Sequence, residues 1–313
     1  MSGKVKTGKK KSFREQLKKK RIFLLMLLPA VLYVVIFNYL PMGGITMAFQ
    51  DYNFAKGIGG SKWVGLKNFE FLIKSHKLWP LTRNTLLYNI AFISVGMVME
   101  VGFAIIINEI TVRWFKKLFQ SFIFLPYFIS WVTAAAIIQA VFDYDNGLIS
   151  HLVRMAGMDM VNIYTNPAPW PFLLVLFRMW KGVGYGSIIY LSAITGIDQE
   201  IYESAEMDGA NRWQQVFKIT IPNLAPTMII MFLLGCGQMF RGDFGMFYQL
   251  IGSNGVLLNV GDILDLYIYR AMIGSSNLGF GAAAGLYQSV LCFITIVTVN
   301  FIVKKIQPDY TLF

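Results

Sequence analysis

Five ionisable residues stand where charge is costly. Glu100, Arg178, Lys181, Arg241 and Asp243 each lie inside a long apolar stretch. Charge in such a setting faces a bundle interior or an aqueous cavity rather than lipid. Arg178, Arg241 and Asp243, together with the rings of Tyr127, Trp180 and Tyr185, are the candidates for lining a passage through the chain. At about 1.5 Å per helical residue, Arg178 sits roughly 10 Å in from the start of its apolar run. Two structural alternatives stand beside this reading: Arg241 with Asp243 could be a satisfied ion pair, and Glu100 is expected to be structural.

Other chemistry finds little support. The only histidines, His76 and His151, are far apart, and Cys236 and Cys292 both lie inside apolar runs, which suits packing and neither a metal site nor a disulfide. No paired carboxylates and no Ser/His/Asp or Cys/His set have spacing usable for catalysis. Residues 3–10, G-K-V-K-T-G-K-K, nearly spell a phosphate-binding loop. The Ser/Thr after its lysine is missing and no strand precedes it, so it is a chance match. The chain is expected to bind no cofactor and to be no enzyme.

The elements that position these residues follow from composition. Of the 313 residues 56% are hydrophobic and 14% charged, and mean hydropathy is +0.54. Soluble domains carry about 25% charged residues, so lipid must be the solvent for much of this chain. The formal charge of +11 gathers at the N-terminus and at the ends of apolar runs, which fits the bias of cytoplasmic loops and not a nucleic-acid stripe. A membrane helix needs about 20 mostly apolar residues. Six such spans are expected, at 22–40, 86–107, 118–142, 171–194, 224–250 and 281–303, giving an all-α integral membrane fold. The basic tail 1–21 puts the N-terminus in the cytoplasm. Counting spans then puts Arg113, Lys116, Lys117, Lys304 and Lys305 there too, with the C-terminus. The first span is longer than a signal-peptide core and no small-residue cleavage site follows it, so it is read as an uncleaved helix. Residues 42–80, 143–169 and 251–280 are expected outside, as loops with short helices, and residues 22–313 as one membrane domain. Gly182, Gly184 and Gly186, and Gly281 with Gly285, suit close helix packing.

The loop at 197–222 carries the most information. Asp198 is a candidate N-cap, and Glu200 and Glu203 favour the start of a helix whose apolar positions are Ile197, Ile201, Tyr202 and Ala205. Asp208-Gly209 breaks it, because glycine tolerates a left-handed turn. Trp213, Val216 and Phe217 begin a second stripe, and Pro222 is expected to stop that segment where span five begins. A cytoplasmic helix–turn–helix with an apolar face and an acidic edge is suited to docking on a protein, since an anionic leaflet disfavours the acidic start.

Glu203-Ser204-Ala205, then Asp208-Gly209-Ala210, Phe217, Ile219, Ile221 and Pro222, resemble the coupling loop of binding-protein-dependent ABC importer permeases; Ser204 stands where the family has Ala. Val64–Phe69, Phe124–Trp131 and Ala282–Leu286 resemble the carbohydrate branch of that family, the maltose-permease relatives. The resemblance implies the type I (MetI-like) permease core with a cytoplasmic coupling helix, in a bacterial cell membrane. It implies as partners a second permease chain, an external substrate-binding lipoprotein and two ATPase subunits that hold ATP and Mg. It also implies an oligosaccharide path, with aromatic faces against sugar rings. An ion-coupled secondary transporter, or a permease for a non-sugar solute, remains the alternative.

Overall fold

The structure, a computed structural model, describes residues 20–74, 77–252, 254–275 and 277–306. The tail 1–21 therefore lies outside the described residues except for Lys20 and Arg21, as do the near-match at 3–10, His76 and residues 307–313.

Helix α1 (Arg21–Val34) continues through a π turn and a 3-10 stretch to Phe49 as one apolar rod. The first span, expected at 22–40, thus takes in residues 42–49 that the sequence places outside. No side chain of α1 is buried. Its apolar side chains are exposed along its whole length.

The bundle is built on α2 (Leu78–Glu109) and α5 (Trp170–Thr195). Tyr88 and Phe92, early in α2, share a buried cluster with Leu173 and Phe177, early in α5. Ala104 and Ile107, late in α2, share another with Leu191 and Ile194, late in α5, and with Leu224. The two helices therefore run side by side in the same direction. A chain that leaves α2 at one end of the bundle and enters α5 at the other must return in between. The returning segment is α3 (Arg113–Phe124) with α4 (Trp131–Phe142), bent by 105° at the break between them. With that pair counted as one, six segments are long and apolar enough to span a membrane.

The 118–142 span is thus not one rod, and the break falls on F-L-P-Y-F-I-S-W. Pro126 lacks the amide that would continue α3. The chain tightens into a 3-10 turn at Leu125–Phe128, and Ser130 restarts a helix as N-cap, its Oγ accepting from the Thr133 amide at 3.2 Å.

Helix α6 (Gln199–Met207) follows α5, and α7 (Arg212–Cys236) runs back towards the start of the bundle. A break, α8 (Phe244–Leu250) and α9 (Leu264–Ser275) precede the last span, α10 (Leu278–Ile306). Span five, expected at 224–250, ends at Cys236.

Of the glycines expected at close contacts, Gly184 and Gly186 fit that role. A methyl on Gly184 would run into the backbone of Ile123 and Phe124, and one on Gly186 into the Glu100 carboxyl. Gly281 lies against Met272, with 2.5 Å from a built Cβ to Sδ, while Gly285 faces open space.

The segment before α2 caps the N-terminal end of α10. Gln50 pairs with Trp63 and Asp51 with Lys62 in a two-stranded antiparallel ribbon. The Asn68 carboxamide donates to the Ala48 and Gln50 carbonyls at 2.9 and 3.0 Å. Gly65 takes a φ of +60° in the turn that brings Asn68 there. This accounts for the Val64–Phe69 motif in terms of folding.

Candidate transport path and docking loop

At the end of the bundle where α2 and α5 finish, α6 stands clear of the spans, with no buried residue. Local rules shape it. Asp198 caps its start, accepting from the Glu200 amide at 3.0 Å. At its other end Gly209 N–H donates to the Glu206 carbonyl at 3.0 Å and Ala210 N–H to the Ala205 carbonyl at 2.9 Å, the paired bonds of a Schellman ending. Gly209 has a φ of +82°, in the left-handed region that glycine occupies without penalty. Asn211 and Gln214 then exchange bonds of 2.9 and 2.8 Å in a capping box, and the Tyr202 and Thr220 hydroxyls meet at 2.9 Å, tying α6 to α7.

Glu203, Ser204, Asp208 and Gly209 are exposed, with Ala205, Ala210 and Ile219 half-buried beneath them. Trp213 and Phe217 are 72% and 63% exposed and stack with ring centres 6.3 Å apart. Large apolar side chains displayed this way on an otherwise polar hairpin mark a contact surface.

Pro222 does not stop the second helix. A π turn at Val216–Thr220 leads straight into the rest of α7. The proline cannot donate to a carbonyl in the preceding turn. The wider π turn takes up that gap, and Asn223 Nδ2 caps the Ile219 carbonyl at 2.8 Å.

Midway through the bundle a cavity of about 410 Å³ opens between α2, α5 and α7, and Arg178, Arg241, Asp243 and Glu100 all line it. Arg241 and Asp243 lie in the break after α7. Three clamps hold this non-helical backbone. Asn89 Nδ2 donates to the Arg241 carbonyl at 3.1 Å and Gln288 Nε2 to the Phe240 carbonyl at 2.5 Å. Asp265 Oδ2 accepts from the Gly242 amide at 2.6 Å and from Gln288 at 2.9 Å. Irregular backbone is tolerated within a membrane bundle where other groups satisfy it and it lines a cavity.

Asp243 is the busiest of these residues. Its Oδ1 caps α8 through the Met246 amide at 3.2 Å. Its Oδ2 accepts from the Trp131 indole at 3.1 Å and lies 3.6 Å from Arg178 Nε. The partner of Asp243 is therefore Arg178 on α5, not Arg241. Arg241 is exposed to the cavity and takes part in none of the ion pairs among the described residues. Glu100, expected to be structural, lines the same cavity and fills the space left by Gly186.

The aromatic candidates lie apart from the cavity wall. Tyr127 and Tyr185 stack at 4.6 Å with planes 10° apart, forming a shelf on the side of Asp243 where Trp131 sits. Lys181 joins them, donating to the Tyr127 carbonyl at 2.9 Å with its ammonium 5.4 Å from the Trp131 ring centre. Trp180 is exposed and belongs to neither group. The structure thus brings together Arg178, Arg241 and Asp243, and separately Tyr127 and Tyr185. The sequence reading missed Asn89, Asp265 and Gln288, whose only signal was a carboxamide or carboxylate in or beside an apolar run.

Residues 84–308 match the family of binding-protein-dependent transport system inner membrane components. The chain belongs to that family. Among its relatives is the polygalacturonan/rhamnogalacturonan transport system permease protein YteP of Bacillus subtilis (strain 168), 33% identical over 304 residues, which are 97% of this chain and 94% of the relative. Protein LplB of the same organism is 32% identical over 302 residues, 96% of this chain and 94% of LplB. In shape the permease is similar to a chain in the crystal structure of a bacterial ABC transporter involved in the import of the acidic polysaccharide alginate. There the TM-score is 0.85 and the identity 28%, over 94% of this chain and 98% of that one. The match reaches from the membrane spans through the loop 197–222 and the break at 237–243, so both regions belong to the shared core of this permease family.

Proposed function

We propose that this chain is the membrane path of an ATP-driven importer of oligosaccharides, working by alternating access. Two partner ATPase subunits hold ATP and Mg, receive α6 and its acidic edge in a cleft, and rock the spans as they close. The residues that make that contact are Glu203, Ser204, Ala205, Asp208, Gly209, Ala210, Phe217, Ile219 and Pro222. A second permease chain completes the passage, and an external binding protein releases sugar into it. The N- and C-termini and the loop 197–222 share the ATPase side of the bacterial membrane.

One observation carries this reading: the capped helix α6, with no buried residue, projects from the end of the bundle with its carboxylates beside the exposed Trp213 and Phe217 rings at the start of α7, at an end that also bears Arg113, Lys116, Lys117, Lys304 and Lys305. A basic rim favours the cytoplasmic face, and a protruding apolar hairpin needs a protein partner. The relatives named above supply the cargo class.

Within that class the cavity favours an acidic chain. Arg241 makes no close ion pair among the described residues, although Asp265 attracts it from a distance, and Lys181 rests over the Trp131 face next to Asp243. Arg178, Arg241 and Asp243 line the route, and Tyr127 and Tyr185 offer ring faces along its side. Reconstitution of the complete transporter in vesicles tests this. Uptake of oligouronides that needs both ATP and the binding protein, and that survives collapse of ion gradients, is the expected result. Uptake without ATP would assign the chain to ion-coupled transport.

A further inference from the structure

At the end of the bundle opposite α6, the starts of α2 and α10 and the length of α9 with the segment before it border a second, open cavity of about 800 Å³. It is larger than the inner one, and Asn84, Asn259, Asp262, Tyr267, Arg270 and Asn277 are among the residues that line it. The walls are held firmly. Arg270 Nη2 pairs with Asp262 Oδ2 at 2.6 Å and Asn84 Nδ2 donates to the Asp262 carbonyl at 3.2 Å. The Tyr88 hydroxyl donates to the Val260 carbonyl at 2.9 Å, fastening the same segment to α2. The Tyr267 ring is half-buried with the Lys77 ammonium 5.7 Å from its centre.

This is a saccharide-binding inventory. A ring face suits the C–H surface of a pyranose, carboxamides offer a donor and an acceptor to neighbouring hydroxyls, and guanidinium and ammonium groups suit a carboxylate. A site of this kind is concave, pre-formed and carries few convergent polar groups.

The two cavities share structure. Asn84, in the outer wall, and Asn89, in the inner one, are five residues apart on α2, about 7.5 Å along its axis and about 140° around it, so a chain reaching from one cavity to the other must wrap part-way round this helix. Asp265, just before Tyr267 on α9, accepts from Gly242 in the inner wall. We propose that the outer cavity is a second saccharide subsite, which holds the trailing units of a long chain while its leading unit occupies the inner cavity. The proposal rests on the oligosaccharide reading given above. A loop of the binding protein is the competing occupant.

The test is uptake by the complete reconstituted transporter, using oligouronides of two and six units. With Tyr267→Ala the concentration of the six-unit chain giving half-maximal uptake should rise about fivefold, the equivalent of one lost ring contact, and with Asn259→Ala about as much for one lost hydrogen bond, while two-unit uptake stays unchanged. An equal loss at both lengths, with weaker stimulation of ATPase activity by the sugar-free binding protein, would make the cavity a docking notch and overturn the subsite. No change at either length would overturn it as well. Failure of the unaltered transporter to move either sugar would instead strike the oligosaccharide reading itself.

Discussion

The docking loop and the inner cavity are built by opposite means. In the loop nearly every fixing bond is local: Asp198 to Glu200, Gly209 to Glu206, Ala210 to Ala205, Asn211 to Gln214. Tyr202 to Thr220 is the longest reach, and it joins residues of the same hairpin. At the cavity the fixing bonds join residues far apart in sequence: Asn89 to Arg241, Trp131 to Asp243, Asp265 to Gly242, Gln288 to Phe240. A unit that folds from its own caps can stand away from the bundle and offer its surface to another protein. A break in a span cannot, because each freed backbone group must find a partner from another helix.

Three variants bear on that contrast. The largest effect is expected at Gly209. A valine there must adopt a φ of +82°, a left-handed conformation that costs about 1–2 kcal/mol, or else unwind the end of α6. Gly209→Val should reduce ATP-driven uptake to background while the protein reaches the membrane in normal amount. Normal uptake would separate the hairpin geometry from coupling.

Next is Gly186→Ala, whose methyl collides with the Glu100 carboxyl. Overpacking of this kind costs about 1–3 kcal/mol, read as a lowered melting temperature in detergent. Gly186→Ala with Glu100→Ala should recover most of it. If the double variant melts as low as the single one, Glu100 is not the neighbour that fixes this contact.

The smallest effect concerns the outer end. Burial raises the Asp262 carboxyl above the ordinary aspartate range, against the opposing influence of Arg270. The folded protein therefore holds that proton more tightly than the unfolded chain does. Stability should decline as pH rises from about 4, the ordinary aspartate value, through the raised folded value, and level off beyond it. Asp262→Asn should flatten that part of a melting-temperature profile. A profile as steep as that of the unaltered chain would place the titration elsewhere.

The same contrast separates what could be read in the sequence from what could not. Gly209 and Asp198 act on neighbours within four residues, so spacing alone places the helix, its cap and its turn. The spans follow from apolar length, and the match of 171–194 to Trp170–Thr195 is near complete because nothing interrupts it. The end of span five at Cys236 is different. Met239 and Phe240 keep the stretch apolar, so hydropathy carries on past the break, while the groups that stabilise it lie on α2, α9 and α10. The pairing of Asp243 with Arg178, 65 positions away, rather than with Arg241 beside it, has the same origin. Pro222 misled for a local reason: proline forbids one bonding pattern, and a π turn supplies another.

That π turn, Val216–Thr220, has a further consequence. One residue more per turn advances the helix face by about 100° relative to an unbroken α-helix. Trp213 and Phe217 point away from the protein, whereas Val216 and Thr220 within the turn and Leu224 one turn after it are buried, every fourth residue on one line. One continuous rod thus carries a single buried stripe through the proline region while its opposite side stays open.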